Sequence, residues 1–124
     1  MKALVVDDSN TMRAVLRRIL SMRGFEVAEA KHGVDALDVL TKGEVPDVAL
    51  VDWNMPEMNG LELVTEIRKR PQYEQMRIMM VTTETGIKEV QSALNAGATD
   101  YLMKPFNSMQ VEEKLALLGL IANV

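Results

Sequence analysis

Five residues of this 124-residue chain are of types that together handle phosphate: Asp7, Asp8, Asp52, Thr82 and Lys104. Each closes a short apolar run, in LVVDD, VALVD, MMVT and YLMK. If folding gathers the three carboxylates they repel, because two unit charges about 4 Å apart at an effective dielectric near 20 oppose each other by ~4 kcal/mol. Such a cluster must hold a proton or recruit a cation. There is no cysteine, and the single histidine, His32, lies elsewhere, so the donors are oxygens. They suit Mg²⁺, which keeps several waters and takes one or two carboxylates plus a phosphate. A lysine ammonium and a threonine hydroxyl beside it would complete a socket for a phosphoryl group, whose equatorial oxygens need positive charge and hydrogen bonds.

Taken singly, each residue has a plainer use. Asp8 or Ser9 could cap a helix, Thr82 could serve a turn or a cap, and Lys104 could be solvated. Asp52 could belong to the turn that continues as Trp53-Asn54-Met55-Pro56. Joint placement at four strand ends favours a common site.

The elements that must position these residues alternate. Apolar runs predict strands over 2–6, 25–30, 47–51, 78–81 and 99–103, and helical spacing with Gly or Pro stops predicts helices over 11–22, 34–40, 61–69, 85–95 and 108–118. Five βα units with short connections imply a doubly wound α/β fold, a five-stranded parallel sheet covered by helices on both faces. Ligands in such sheets gather outside the carboxyl ends of the strands, where these five residues lie. Parallel strands sit about 5 Å apart, so neighbouring ends converge.

Composition narrows the function classes. With 48% hydrophobic and 26% charged residues the chain reads as one globular domain, 1–124, with no linker, repeat or charge block marking a boundary. A net charge of -4 and a pI near 5.0 argue against an electrostatic grip on nucleic acid. The N-terminus, MKALVVDDSN, is neither a signal peptide nor a membrane span, and the cytoplasm is the expected location. Ten methionines suit an adaptable partner surface, although Met79 and Met80 read as core filler in a strand. The apolar tail, 115–124, reads as packing for the last helix, and His32 as a solvated loop residue.

With these residues in place, the chain resembles the response-regulator receiver family, and in particular its single-domain chemotaxis members. The resemblance spans essentially the full length and rests on VVDDS, VDWNMPEMNGLEL, MVTTE and AGATDYLMKPF. It implies a flavodoxin-like sheet with strand order 2-1-3-4-5, and no attached output domain. It further implies that Asp52 accepts a phosphoryl group and that Asp8 and Asp52 bind Mg²⁺ directly. Asp7 would act largely through water, and the backbone carbonyl of Asn54 would complete the ligands. Thr82 and Lys104 would hold the phosphoryl oxygens, with a cis Lys104-Pro105 bond, and Tyr101 would follow Thr82 as a switch. The implied donor is a phosphohistidine on a sensor histidine kinase. The implied readout is a protein bound on the face of the fourth helix, fifth strand and fifth helix, with a flagellar switch as one candidate.

Asn54 and Glu84, two residues after Asp52 and Thr82, resemble the pairing of members that lose phosphate quickly. Thr83 departs from the very small residue common in the family after the switch threonine, and its branched side chain could obstruct water, donor or phosphatase. On this reading the protein is a monomer and catalyses only its own phosphorylation and dephosphorylation. A phosphate sink or a phosphorelay receiver outside chemotaxis is an alternative role. A haloacid-dehalogenase-type aspartyl-phosphate phosphohydrolase would need an acid where Asn54 stands. A flavodoxin-like cofactor binder would need a Ser/Thr/Gly-rich loop where Asp7 and Asp8 stand.

Overall fold

The computed structural model describes residues 1–83 and 86–122. Five strands, β1 (Lys2–Val6), β2 (Glu26–Ala30), β3 (Val48–Asp52), β4 (Arg77–Thr82) and β5 (Asp100–Met103), form one parallel sheet in the order β2-β1-β3-β4-β5. Between and after them run α1 (Asn10–Met22), α2 (Gly33–Lys42), α3 (Gly60–Arg68), α4 (Ile87–Ala96) and α5 (Ser108–Leu117). The alternation, class and strand order are those expected. Among the described residues no helix is long and apolar enough to cross a membrane.

Successive residues of a strand face opposite sides, and the sheet therefore separates two cores. Leu4, Val6, Ala49, Val51, Ile78 and Met80 pack on one side with Ala36, Leu63, Ile67 and Ala93 from α2, α3 and α4. Ala3, Val5, Val48, Leu50, Met79 and Val81 pack on the other with Leu16, Leu20, Val111 and Leu115 from α1 and α5. Every residue of β3 is buried, as a central parallel strand requires, whereas β2 at the edge alternates exposed and half-buried positions before ending on Ala30.

The helix starts explain the loops. Ser9 caps α1, its Oγ accepting from Met12 N at 3.2 Å, which leaves Asp8 exposed. Asn59 with Glu62 and Asn107 with Gln110 form reciprocal capping boxes at α3 and α5. His32 is more than a solvated residue: it is exposed, but its Nδ1 accepts from Asp35 N at 3.1 Å and caps α2. An imidazole nitrogen can fill a place usually taken by a Ser, Thr, Asn or Asp oxygen. The fourth helix begins at Ile87 after an N-cap at Gly86 that offers no side chain, so the expected start at Thr85 is moved; Thr85 itself lies outside the described residues. A 3₁₀ turn over Pro71–Tyr73, absent from the sequence reading, buries Tyr73. As expected, Met79 and Met80 are core residues; the apolar tail packs through Leu115, Leu120 and the half-buried Ile121, but Leu117 is exposed. The terminal pair 123–124 lies outside the described residues.

Candidate functional site

The pocket is assembled where β1, β3, β4 and β5 end. Asp7 follows the last residue of β1, Asp52 and Thr82 are the last residues of β3 and β4, and Lys104 follows β5. Backbone pairing continues one step past the strands: Trp53 N donates to Val81 O at 3.0 Å and Lys104 N to Thr82 O at 2.8 Å. These bonds hold Asp52, Thr82 and Lys104 in register with one another. The Lys104-Pro105 peptide is cis.

The loop after β3 folds tightly over this end. Glu57, at φ 66, turns the chain where Met58 N donates to Pro56 O at 2.8 Å. Gly60 then brings α3 down onto β3, with its N–H donating to Trp53 O at 2.8 Å. A Cβ at Gly60 would lie 2.4 Å from the Asp52 carbonyl oxygen, so only glycine allows this approach. This residue was not singled out from the sequence, where the available signal was a glycine directly after the turn-type residues Pro56 and Asn59.

One carboxylate oxygen each from Asp7, Asp8 and Asp52 falls within a mutual 4.8 Å. Asp7 and Asp52 are buried and Asp8 is exposed. The Lys104 ammonium sits 2.9 Å from Asp52 Oδ1 and 3.7 Å from Asp7 Oδ2. Asp7 Oδ1 accepts from Ser9 N at 2.8 Å, while Asp7 Oδ2 is buried with no hydrogen-bond donor among the described residues. Burial pushes the Asp52 carboxyl above its ordinary value; Lys104 pulls it down, and Asp7 and Asp8 push it up. Two of the three acids thus share one ammonium, and the cluster carries excess negative charge.

That donor set fits a small hard cation. All candidate ligand atoms are oxygens, Asp7 also carries a buried oxygen without a donor among the described residues, and opposed oxygens on Mg²⁺ stand about 4 Å apart, at its ~2.1 Å bond length, against the 4.8 Å limit here. Asp7, Asp8 and Asp52 are the residues able to hold it, with Lys104 and the buried Thr82 beside them.

Asn54 and Thr83 are exposed, the latter directly after Thr82. Glu84 lies outside the described residues. Tyr101 is half-buried on β5, packed against the core that holds Ile78 and Met80, with Lys114 Nζ 4.7 Å from its ring centroid. Lys114 is held there by Asp100, whose Oδ1 lies 3.1 Å away, a pair the sequence reading did not single out.

Residues 3–116 match the family model described as the response regulator receiver domain. A chemotaxis protein CheY homolog of Campylobacter jejuni is 54% identical over 116 residues, covering 93% of this chain and 89% of that protein. Chemotaxis protein CheY1 of Helicobacter pylori is 47% identical over 119 residues, covering 95% and 96%. Among solved structures, the chemotaxis response regulator CheY4 of Vibrio cholerae superposes with a TM-score of 0.89 at 38% identity, over 94% of this chain and 97% of that one.

Proposed function

Because this chain belongs to the response-regulator receiver family, with CheY-type chemotaxis regulators among its relatives, we propose that it accepts a phosphoryl group on Asp52 and passes the signal to a partner protein. The observation that carries the reading is the cluster of three carboxylates within 4.8 Å, with the Lys104 ammonium 2.9 Å from Asp52. An inert sheet has no need of that arrangement, which must be offset against charge repulsion.

In the proposed transfer a carboxylate oxygen of Asp52 attacks the phosphorus in line while the P–N bond of a kinase phosphohistidine breaks. The departing imidazole nitrogen keeps the bonding pair, and Asp52 becomes an acyl phosphate. Asp7, Asp8 and Asp52 would hold Mg²⁺, which supplies positive charge against the phosphoryl oxygens. Lys104 adds a second cation, and the Thr82 hydroxyl hydrogen-bonds a transferred oxygen. Once loaded, the pocket would bias Thr82 and Tyr101 towards a second arrangement read on the α4–β5–α5 face. Similarity to chemotaxis proteins over most of the chain supports a flagellar-switch target and a cytoplasmic setting. We read the protein as a monomer with no catalytic turnover beyond its own phosphorylation and dephosphorylation. Asn54, where a phosphohydrolase of the aspartyl-phosphate type would need an acid, supports that limit.

Intact mass and Trp53 fluorescence, recorded with Mg²⁺ and acetyl phosphate, test the proposal on the wild type and Asp52→Ala. Fluorescence quenching by Mg²⁺ and a gain of one phosphoryl group, confined to the wild type, are expected. No adduct and no metal response would sink it and leave a constitutive binding module on a receiver fold.

A further inference from the structure

The polar residue most deeply embedded behind the pocket is Arg13, on the first turn of α1. It is 7% exposed, and its guanidinium divides its donors among three elements. Nη1 donates to the backbone carbonyl of Asp7 at 2.6 Å. Nη2 donates to Asn10 Oδ1 on its own helix, and Nε reaches Glu29 Oε1 on β2 at 3.3 Å. The other oxygen of Glu29 takes Arg17, which is more than half exposed and forms no hydrogen bond or ion pair with Asp7.

The consequence for Asp7 is that almost every polar atom it owns is spoken for. Its N–H donates to Ala30 O at 3.1 Å, its carbonyl accepts from Arg13, and its Oδ1 accepts from Ser9 N. Oδ2 is left, buried with no hydrogen-bond donor among the described residues and 3.7 Å from the Lys104 ammonium. At its backbone carbonyl Asp7 is tied through the Arg13 side chain to both β2 and α1. The guanidinium fork suits this task because its planar donors serve several acceptors in fixed directions, which an ammonium cannot do.

We propose that Arg13 is a positioning residue for the cation pocket: by holding the Asp7 carbonyl it fixes the direction of Asp7 Oδ2 and so sets Mg²⁺ affinity. The inference rests on the reading of the acidic cluster as a cation site. Outer partners that orient a metal ligand typically carry about 10–100-fold in affinity. Charge alone predicts the opposite sign, since a cation beside the pocket repels Mg²⁺ and its removal should tighten binding.

Mg²⁺ titration of Trp53 fluorescence on the wild type, Arg13→Lys, Arg13→Met and Arg17→Gln separates the two. Both Arg13 variants should bind Mg²⁺ at least about tenfold more weakly, near the lower end of that range, and Arg17→Gln should bind no more weakly than the wild type. With acetyl phosphate, the Arg13 variants should recover their phosphorylation rate at saturating Mg²⁺, because the reacting groups are intact. Circular dichroism in EDTA identifies any variant that fails to fold; Arg13→Lys, which keeps the charge and the stem, then carries the test with Glu29→Gln, expected to weaken Mg²⁺ severalfold. Wild-type affinity in Arg13→Lys, tighter binding in Arg13→Met, or equal losses in the Arg13 and Arg17 variants overturns the positioning role alone. A wild type without Mg²⁺ response overturns the cation-site reading and this one with it.

Discussion

Asp52→Asn should stabilise the protein in the absence of metal. The change keeps the side-chain shape and a carbonyl acceptor for Lys104 but removes one of three clustered charges. At an effective dielectric near 20, a carboxylate at the 4.8 Å limit of the cluster opposes Asp52 by roughly 3.5 kcal/mol, and an ammonium at 2.9 Å offsets roughly 6 kcal/mol. Two such carboxylates and one ammonium nearly cancel, the more so because exposed Asp8 is screened. Burial of a carboxylate that is 4% exposed then decides the balance against the charged form, in keeping with the upward direction of its pKa and its leading cause. A gain of about 1–2 kcal/mol at pH 7.5 in EDTA is expected, or about 4–8 °C in Tm for a chain of this length. The pH dependence has a definite sign. Between the ordinary carboxylate value and the raised folded one, the folded wild type holds a proton that the unfolded chain has lost. The wild type therefore loses stability as pH rises through that window, and the advantage of Asp52→Asn should shrink on acidification. Millimolar Mg²⁺ should also narrow it, by stabilising the folded wild type in proportion to ln(1 + [Mg²⁺]/Kd). Differential scanning calorimetry at pH 7.5 and 4.5, with EDTA or Mg²⁺, measures all of this. A variant that melts at or below the wild type at pH 7.5 in EDTA, or an advantage that grows on acidification, refutes the reasoning.

Lys104→Met should slow transfer from acetyl phosphate by about 10²-fold, the usual effect of losing one charge-stabilising donor, measured as mass gain against time at saturating Mg²⁺; an unchanged rate would remove Lys104 from the chemistry. Thr83→Ala should speed either phosphorylation by acetyl phosphate or loss of the phosphoryl group, both readable by intact mass, and unchanged rates for both would show that the branched side chain obstructs nothing. Gly60→Ala should destabilise the fold by about 1–3 kcal/mol in urea unfolding, because its Cβ must displace the Asp52 carbonyl from 2.4 Å; a midpoint equal to the wild type would mean that α3 can withdraw freely.

The parts legible in the sequence are those written in local pattern. Buried parallel strands read as unbroken apolar runs, so β1 over Lys2–Val6 was readable to the residue and β3 nearly so. Asp52 and Lys104 are 52 residues apart and meet through an ion pair, yet both were visible because each closes such a run. What escaped has no periodic signature. Arg13 reads as a surface residue of an amphipathic helix, and only the placement of β2 and the Asp7 carbonyl gives its guanidinium partners. The His32 cap depends on a side-chain nitrogen doing the work of an oxygen, and the Pro71–Tyr73 turn is shorter than any repeat that spacing could reveal. At α4 a helical pattern was continued back to Thr85, whereas Gly86 is extended, at φ -67 and ψ 143, and starts the helix itself.

The division of the interior by the sheet bears on how such a chain can change over generations. Side chains on the α2–α3–α4 side touch one another across the strands' one face, and those on the α1–α5 side across the other, with only backbone between them. A volume change in Leu63 must be absorbed by neighbours such as Ile67 or Val51, and one in Leu16 by Leu20 or Val5, but neither needs an answer from the far side. The two interiors can therefore drift as separate lineages of compensating substitutions. Their histories must be reconciled only at the strands' carboxyl ends, where a shift transmitted through either core moves the same aspartates.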